Sequence, residues 1–104
     1  MEKTAVTALA ALAQDSRLAI FRLLVQAGPA GLPAGKIGET LGIAPSSLSF
    51  HLKELTHAQL VSSKQESSYV IYVANFQAMD ELLAFLTENC GGGKPCLTST
   101  GVQG

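Results

Sequence analysis

Basic charge is what this sequence has little of. Seven lysines and arginines stand against eight aspartates and glutamates, a formal net charge of −1. A generic polyanion binder carries a basic stripe, so that class is disfavoured. A specific DNA contact is not, because charge at the contact surface sets affinity. Long apolar runs are missing as well, and none approaches the ~20 residues of a membrane span. The apolar stretch over 5–13 follows Glu2 and a single basic residue, Lys3. Its pattern continues past Gln14 in helical phase, so it reads as helix and not as a signal peptide. A cytoplasmic protein with no membrane partner is expected, its two cysteines reduced. Catalytic motifs are absent too: there is no Ser/His/Asp elbow, no phosphate loop and no HExxH. Two histidines at ordinary spacing do not make a site. The expectation is a protein that is not an enzyme and holds no permanently bound cofactor.

What is present is helical periodicity. With 104 residues, 47% of them hydrophobic, one folded domain is expected over 1–90. A flexible cysteine-containing tail is expected over 91–104. Val6, Leu9 and Leu12 form a stripe on a first helix over 3–13. Asp15 is the N-cap candidate of a second helix, which bears Leu18, Phe21, Leu24 and Val25 and is closed by Gly28-Pro29-Ala30-Gly31. Pro33 opens a short third helix with Ile37 and Leu41 inward, and Gly42 breaks it. Pro45 suits the first position of a fourth helix, where the missing N–H costs nothing. Leu48, Leu52 and Leu55 form the apolar face of that helix, with His51 beside it. From Leu60 the period changes. Val61 and the β-branched or aromatic run 69–73 flank a polar, turn-rich stretch over 62–68, which predicts a two-stranded hairpin. Asn75 can cap a last helix carrying Phe76, Met79, Leu82, Leu83 and Leu86, ended by Cys90 and Gly91. The fold class is therefore mainly α with a small β-hairpin. Two short helices joined by a glycine turn and followed by a hairpin make a winged helix-turn-helix.

The outward positions of the fourth helix carry the DNA-binding expectation. Pro45, Ser46, Ser47, Ser49, Phe50 and Lys53 are the candidates there. Short hydroxyl side chains let a helix sit deep in the major groove and bond base edges or phosphates. Phe50 can meet a thymine methyl, and Lys53 and Lys64 can each neutralise a phosphate. Ser49-Phe50-His51-Leu52-Lys53-Glu54-Leu55 followed by Ala58-Gln59-Leu60-Val61 resembles the recognition helix and wing junction of the ArsR/SmtB metalloregulators. Leu12-Ala13-Gln14-Asp15-Ser16-Arg17-Leu18-Ala19-Ile20 resembles the join of that family's first two helices. The likeness runs over about residues 8–90. It implies a homodimer built through the first and last helices, an imperfectly palindromic operator duplex, and repression relieved by a toxic metal or metalloid. The sequence departs from the family at Gln59, where glycine is frequent, and at the wing tip, where Lys64 is the one basic residue. Weaker, more salt-sensitive DNA binding is expected from that.

The resemblance also frames the cysteines. The family's paired cysteines on the third helix are missing from 32–39, and its Asp/His site on the last helix lacks histidine here. What remains is Cys90-Gly91-Gly92-Gly93-Lys94-Pro95-Cys96. Three glycines let two sulfurs reach one soft atom, and thiolates select soft ions. A trivalent arsenical or antimonial is the expected inducer, with Cys90 and Cys96 as its ligands. A methylated arsenical needs only two sulfurs, while arsenite needs a third ligand. A disulfide switch, a repressor with no ligand response and a winged helix used for protein interaction stay open as alternatives.

Overall fold

The computed structural model describes residues 2–92. Along the chain run α1 (Glu2–Leu12), α2 (Asp15–Ala27), a 3-10 turn at Gly28–Ala30, β1 (Leu32–Pro33), α3 (Ala34–Leu41), α4 (Pro45–His57), β2 (Val61–Glu66), β3 (Tyr69–Ala74) and α5 (Phe76–Leu86). A second 3-10 turn, Cys90–Gly92, follows. The fold is the expected one, a mainly helical winged helix-turn-helix, with four corrections.

The first concerns the start of α2. Gln14 is its N-cap, and its side-chain Oε1 accepts from the Arg17 backbone N–H at 2.9 Å. Asp15 is instead the first helical residue, where its charge still favours the positive end of the helix dipole. Second, the sheet has three strands in the antiparallel order β1-β3-β2. The short β1 pairs Leu32 with Tyr72 and Pro33 with Ile71. Proline is tolerated there because β1 is an edge strand. Third, the polar stretch after Val61 is strand, not turn: β2 pairs with β3 from Val61↔Ala74 to Glu66↔Tyr69, leaving only Ser67 and Ser68 as the loop. All its residues after Val61 are exposed, which explains the polar composition. Fourth, α5 ends at Leu86 with Thr87 as its C-cap, so Cys90 lies beyond the helix.

The core forms where α2, α3, α4 and the wing base converge. Ile20, Leu24, Ile37, Leu55 and Leu60 are all but fully buried, each stabilising the fold by roughly 1.5–3 kcal/mol. Gly31 closes the turn into β1. Its φ of +68° suits only glycine, and a Cβ there would collide with the Tyr72 carbonyl and sit 2.8 Å from Ile71 Cγ2. On α1 the buried residues are Ala5 and Ala8, whereas Val6 and Leu9 are 65% and 42% exposed. Nothing on α5 is fully buried, and Leu83 and Leu86 are each more than half exposed. Two helices of the protomer thus leave apolar side chains in water.

Candidate nucleic-acid interface

The helix-turn-helix is α3, the Gly42 turn and α4. Gly42 takes the left-handed conformation (φ 68°, ψ 36°) that ends α3, and its N–H bonds the Gly38 carbonyl. Ile43 N–H donates to the same carbonyl at 3.0 Å. A Cβ on Gly38 would lie 3.0 Å from the Ile43 carbonyl and 3.3 Å from Leu48 Cδ2, so a small residue sets how closely α3 crosses the turn.

Burial fixes which way α4 faces. Leu48, Leu52 and Leu55 are buried, a spacing that turns one side of the helix inward. Pro45, Ser46, Ser47, Ser49, Phe50 and Lys53 are all exposed, and the structure gathers them on the outer side of one helix. The N-cap of α4, Ala44, supplies no side-chain acceptor, so no side chain caps the first turn. His51 is half-buried, with Nδ1 3.4 Å from Arg17 Nη1 and its ring edge-to-face with Phe50 at 5.7 Å between centroids.

Lys64 lies apart from these residues, on β2 of the wing, where it pairs with Glu66 at 3.5 Å. Lys36 on α3 pairs with Glu39 at 3.9 Å. Among the described residues Lys53 enters no ion pair. Counterion release scales with the number of phosphates neutralised, so a wing with one lysine, itself beside a carboxylate, favours a shallow salt dependence over the steeper one expected from the sequence.

Sequence reasoning missed two members of this surface. Tyr69, 63% exposed, opens β3 beside the loop at the wing tip. Its signal was an aromatic next to the serine pair, absorbed into the strand pattern. Arg17 is the other, and its partner on α4 lies 34 residues away. Gln59 has a φ of +62°, so the position at which glycine was expected does demand a left-handed backbone. Asn75 braces it, as Nδ2 donates to the Gln59 carbonyl at 2.8 Å while Oδ1 accepts from Ala78 N–H to cap α5.

Of the sensor candidates, Cys90 is disulfide-bonded in the turn beyond α5, where a reduced thiol was expected, and Cys96 lies outside the described residues. No group of three or more His, Cys, Asp or Glu residues suited to a metal ion occurs among the described residues. Nor is any described helix long and apolar enough to cross a membrane.

Comparison with known proteins agrees with this geometry. A family described as a helix-turn-helix domain matches residues 12–63. An uncharacterised HTH-type transcriptional regulator of Bacillus subtilis, YceK, is 39% identical over 57 residues, 55% of this chain and 56% of that protein. The chain thus matches little more than half the length of this relative. HlyU from Vibrio cholerae, solved also in a reduced form, is 33% identical with a TM-score of 0.66, covering 82% of this chain and 92% of HlyU. A homodimeric winged helix-turn-helix DNA-binding domain from Mycobacterium bovis, a possible ArsR-family transcriptional regulator, is 25% identical with a TM-score of 0.68, covering 82% and 76%.

Proposed function

Because the chain belongs to the helix-turn-helix family, among winged-helix regulators of the ArsR/HlyU type, we propose that it acts as a homodimeric transcriptional repressor. The observation that carries this is the outer side of α4: three exposed serines, an exposed phenylalanine and a lysine outside the ion pairs of the described residues stand opposite three buried leucines. A dimer built through α1 and α5 would cover Val6, Leu9, Leu83 and Leu86, which one protomer leaves in water. A cleft of about 250 Å³ between these helices, lined in part by Ala5, Ala8, Leu82 and Phe85, offers room for partner side chains. The M. bovis neighbour is a homodimer. Two-fold symmetry sets the two α4 helices on half-sites of an imperfect palindrome about one turn, ~34 Å, apart. Selection from a randomised duplex library tests this. A palindromic site should emerge, and failure to enrich any duplex refutes the reading.

Release is assigned to Cys90 and Cys96. Once a cellular thiol has supplied the two electrons and two protons that open the disulfide at Cys90, the two thiols take a trivalent arsenical or antimonial, whose thiophilic centre two local sulfurs can chelate. The absence of cysteine elsewhere in the sequence supports this assignment. Because Cys90 lies past the end of α5, capture acts on the segment after the dimer helix and not on its last turn. A tenfold loss of operator affinity needs a ligand preference of ~1.4 kcal/mol for the DNA-free form. Cys90→Ser and Cys96→Ser should each keep DNA binding and abolish release by arsenite and methylarsenite; full release from both variants refutes the assignment. A second reading is a redox switch, favoured by the disulfide at Cys90. Two thiols then lose two protons and two electrons to a peroxide. Release by peroxide but by no arsenical selects it.

A further inference from the structure

Arg17 is held at two points by two different helices. Its Nε donates to the Ala11 carbonyl at 2.6 Å, satisfying one of the orphan acceptors at the end of α1. Its Nη1 lies 3.4 Å from His51 Nδ1 on α4. A guanidinium has donors only, so Arg17 is the donor side of this contact and His51 Nδ1 faces it. The same ring meets Phe50 edge-to-face, at 5.7 Å and 62°. Arg17 and His51 are half-buried, while Phe50 is 56% exposed on the outer side of α4. Neither ion pair among the described residues involves Arg17, so a carboxylate does not account for its placement. Three contacts thus run from the carbonyl end of α1, through α2, to an exposed aromatic on α4.

We propose that Arg17 is a positioning residue for base recognition: through His51 it fixes the direction in which Phe50 presents its ring to a thymine methyl group. The inference rests on the DNA-binding reading above and deepens it. An exposed phenylalanine with two free torsions must be ordered when it binds, and that ordering opposes binding. A ring already propped by His51 has lost that freedom before DNA arrives. Because the prop is anchored to the end of α1, a shift of α1 relative to α4 changes base discrimination as well as half-site spacing. A hydrophobic residue at position 17 would fill space without supplying either donor.

The test uses the full chain and the duplex that it selects from a randomised library. Each thymine of that duplex is replaced by deoxyuridine, which lacks only the 5-methyl group. Wild type should lose about fourfold per half-site at one such position, the worth of one buried methyl group. Phe50→Ala should lose that discrimination, and so should Arg17→Ala, each losing more affinity for the selected duplex than for a random-sequence duplex and keeping the dimer mass. In the Phe50→Ala background, adding Arg17→Ala should change nothing further. A purely structural role predicts instead an equal loss on selected and random duplexes, and that result overturns the proposal. So does wild-type discrimination retained by Arg17→Ala. If Arg17→Ala does not fold, Arg17→Lys and His51→Leu carry the same measurement, and full discrimination in both overturns the proposal. A wild-type protein that enriches duplexes but ignores every deoxyuridine refutes the role of Phe50 and this proposal with it. One that enriches no duplex removes the DNA-binding premise and the proposal together.

Discussion

The salt dependence of the proposed operator binding is where the ion pairs of α3 and the wing become measurable. Lys36 and Lys64 each lie within 4 Å of a carboxylate on their own element. That is well inside the Debye length of ~8–10 Å at physiological salt. A nearby phosphate therefore meets a neutral pair, and such pairs release no counterion. Lys53, outside the ion pairs of the described residues, remains. In the proposed dimer one lysine from each subunit neutralises two phosphates, which predicts a slope of log affinity against log salt of about −1.8. If Lys36 and Lys64 also acted as free cations, six phosphates would give about −5.4. Between ~50 and ~200 mM salt the two cases differ as roughly 12-fold and roughly 1,800-fold losses. Fluorescence anisotropy on the selected operator over that range separates them easily. Lys53→Ala should flatten the slope towards zero. Glu66→Gln should free Lys64, tighten binding and steepen the slope to about −3.6. A wild-type slope steeper than about −4, or no change in Glu66→Gln, refutes the reasoning.

Three further outcomes follow from the fold. Gly31→Ala should cost about 3 kcal/mol in urea denaturation, since a left-handed backbone and a Cβ driven into β3 add strain and overpacking; a loss below about 1 kcal/mol would show that the turn relaxes. Gln59→Gly should raise stability by about 0.5–1 kcal/mol, because glycine removes the left-handed penalty while the bond from Asn75 to the backbone carbonyl is kept; an unchanged urea midpoint would show that the left-handed turn carries no penalty here. The double variant Leu83→Glu/Leu86→Glu should leave the protomer folded by circular dichroism, as both side chains are exposed, but shift sedimentation from dimer to monomer; an unaltered dimer would move the interface away from α5.

Local stereochemistry makes much of this protein legible in its sequence. Pro45 starts α4, Gly42 stops α3 and Asn75 caps α5, and each depends only on residues within about four positions. The leucines of α4 announce which side faces inward, and the residues opposite them are the exposed ones. What the sequence conceals depends on partners far along the chain. A two-residue strand has no period to detect, and β1 exists only because Tyr72, forty positions on, completes its ladder. The polar run of β2 has the composition of a turn and is held as strand by register with β3. Net charge counts Lys64 and Glu66 separately, but their separation of 3.5 Å depends on the hairpin. Arg17 reads as one more helical cation until folding sets it between the end of α1 and His51. Element identity is settled by short-range sterics and caps, which a sequence displays. Which polar groups cancel or hold one another is settled by three-dimensional proximity, and only the packed structure supplies that.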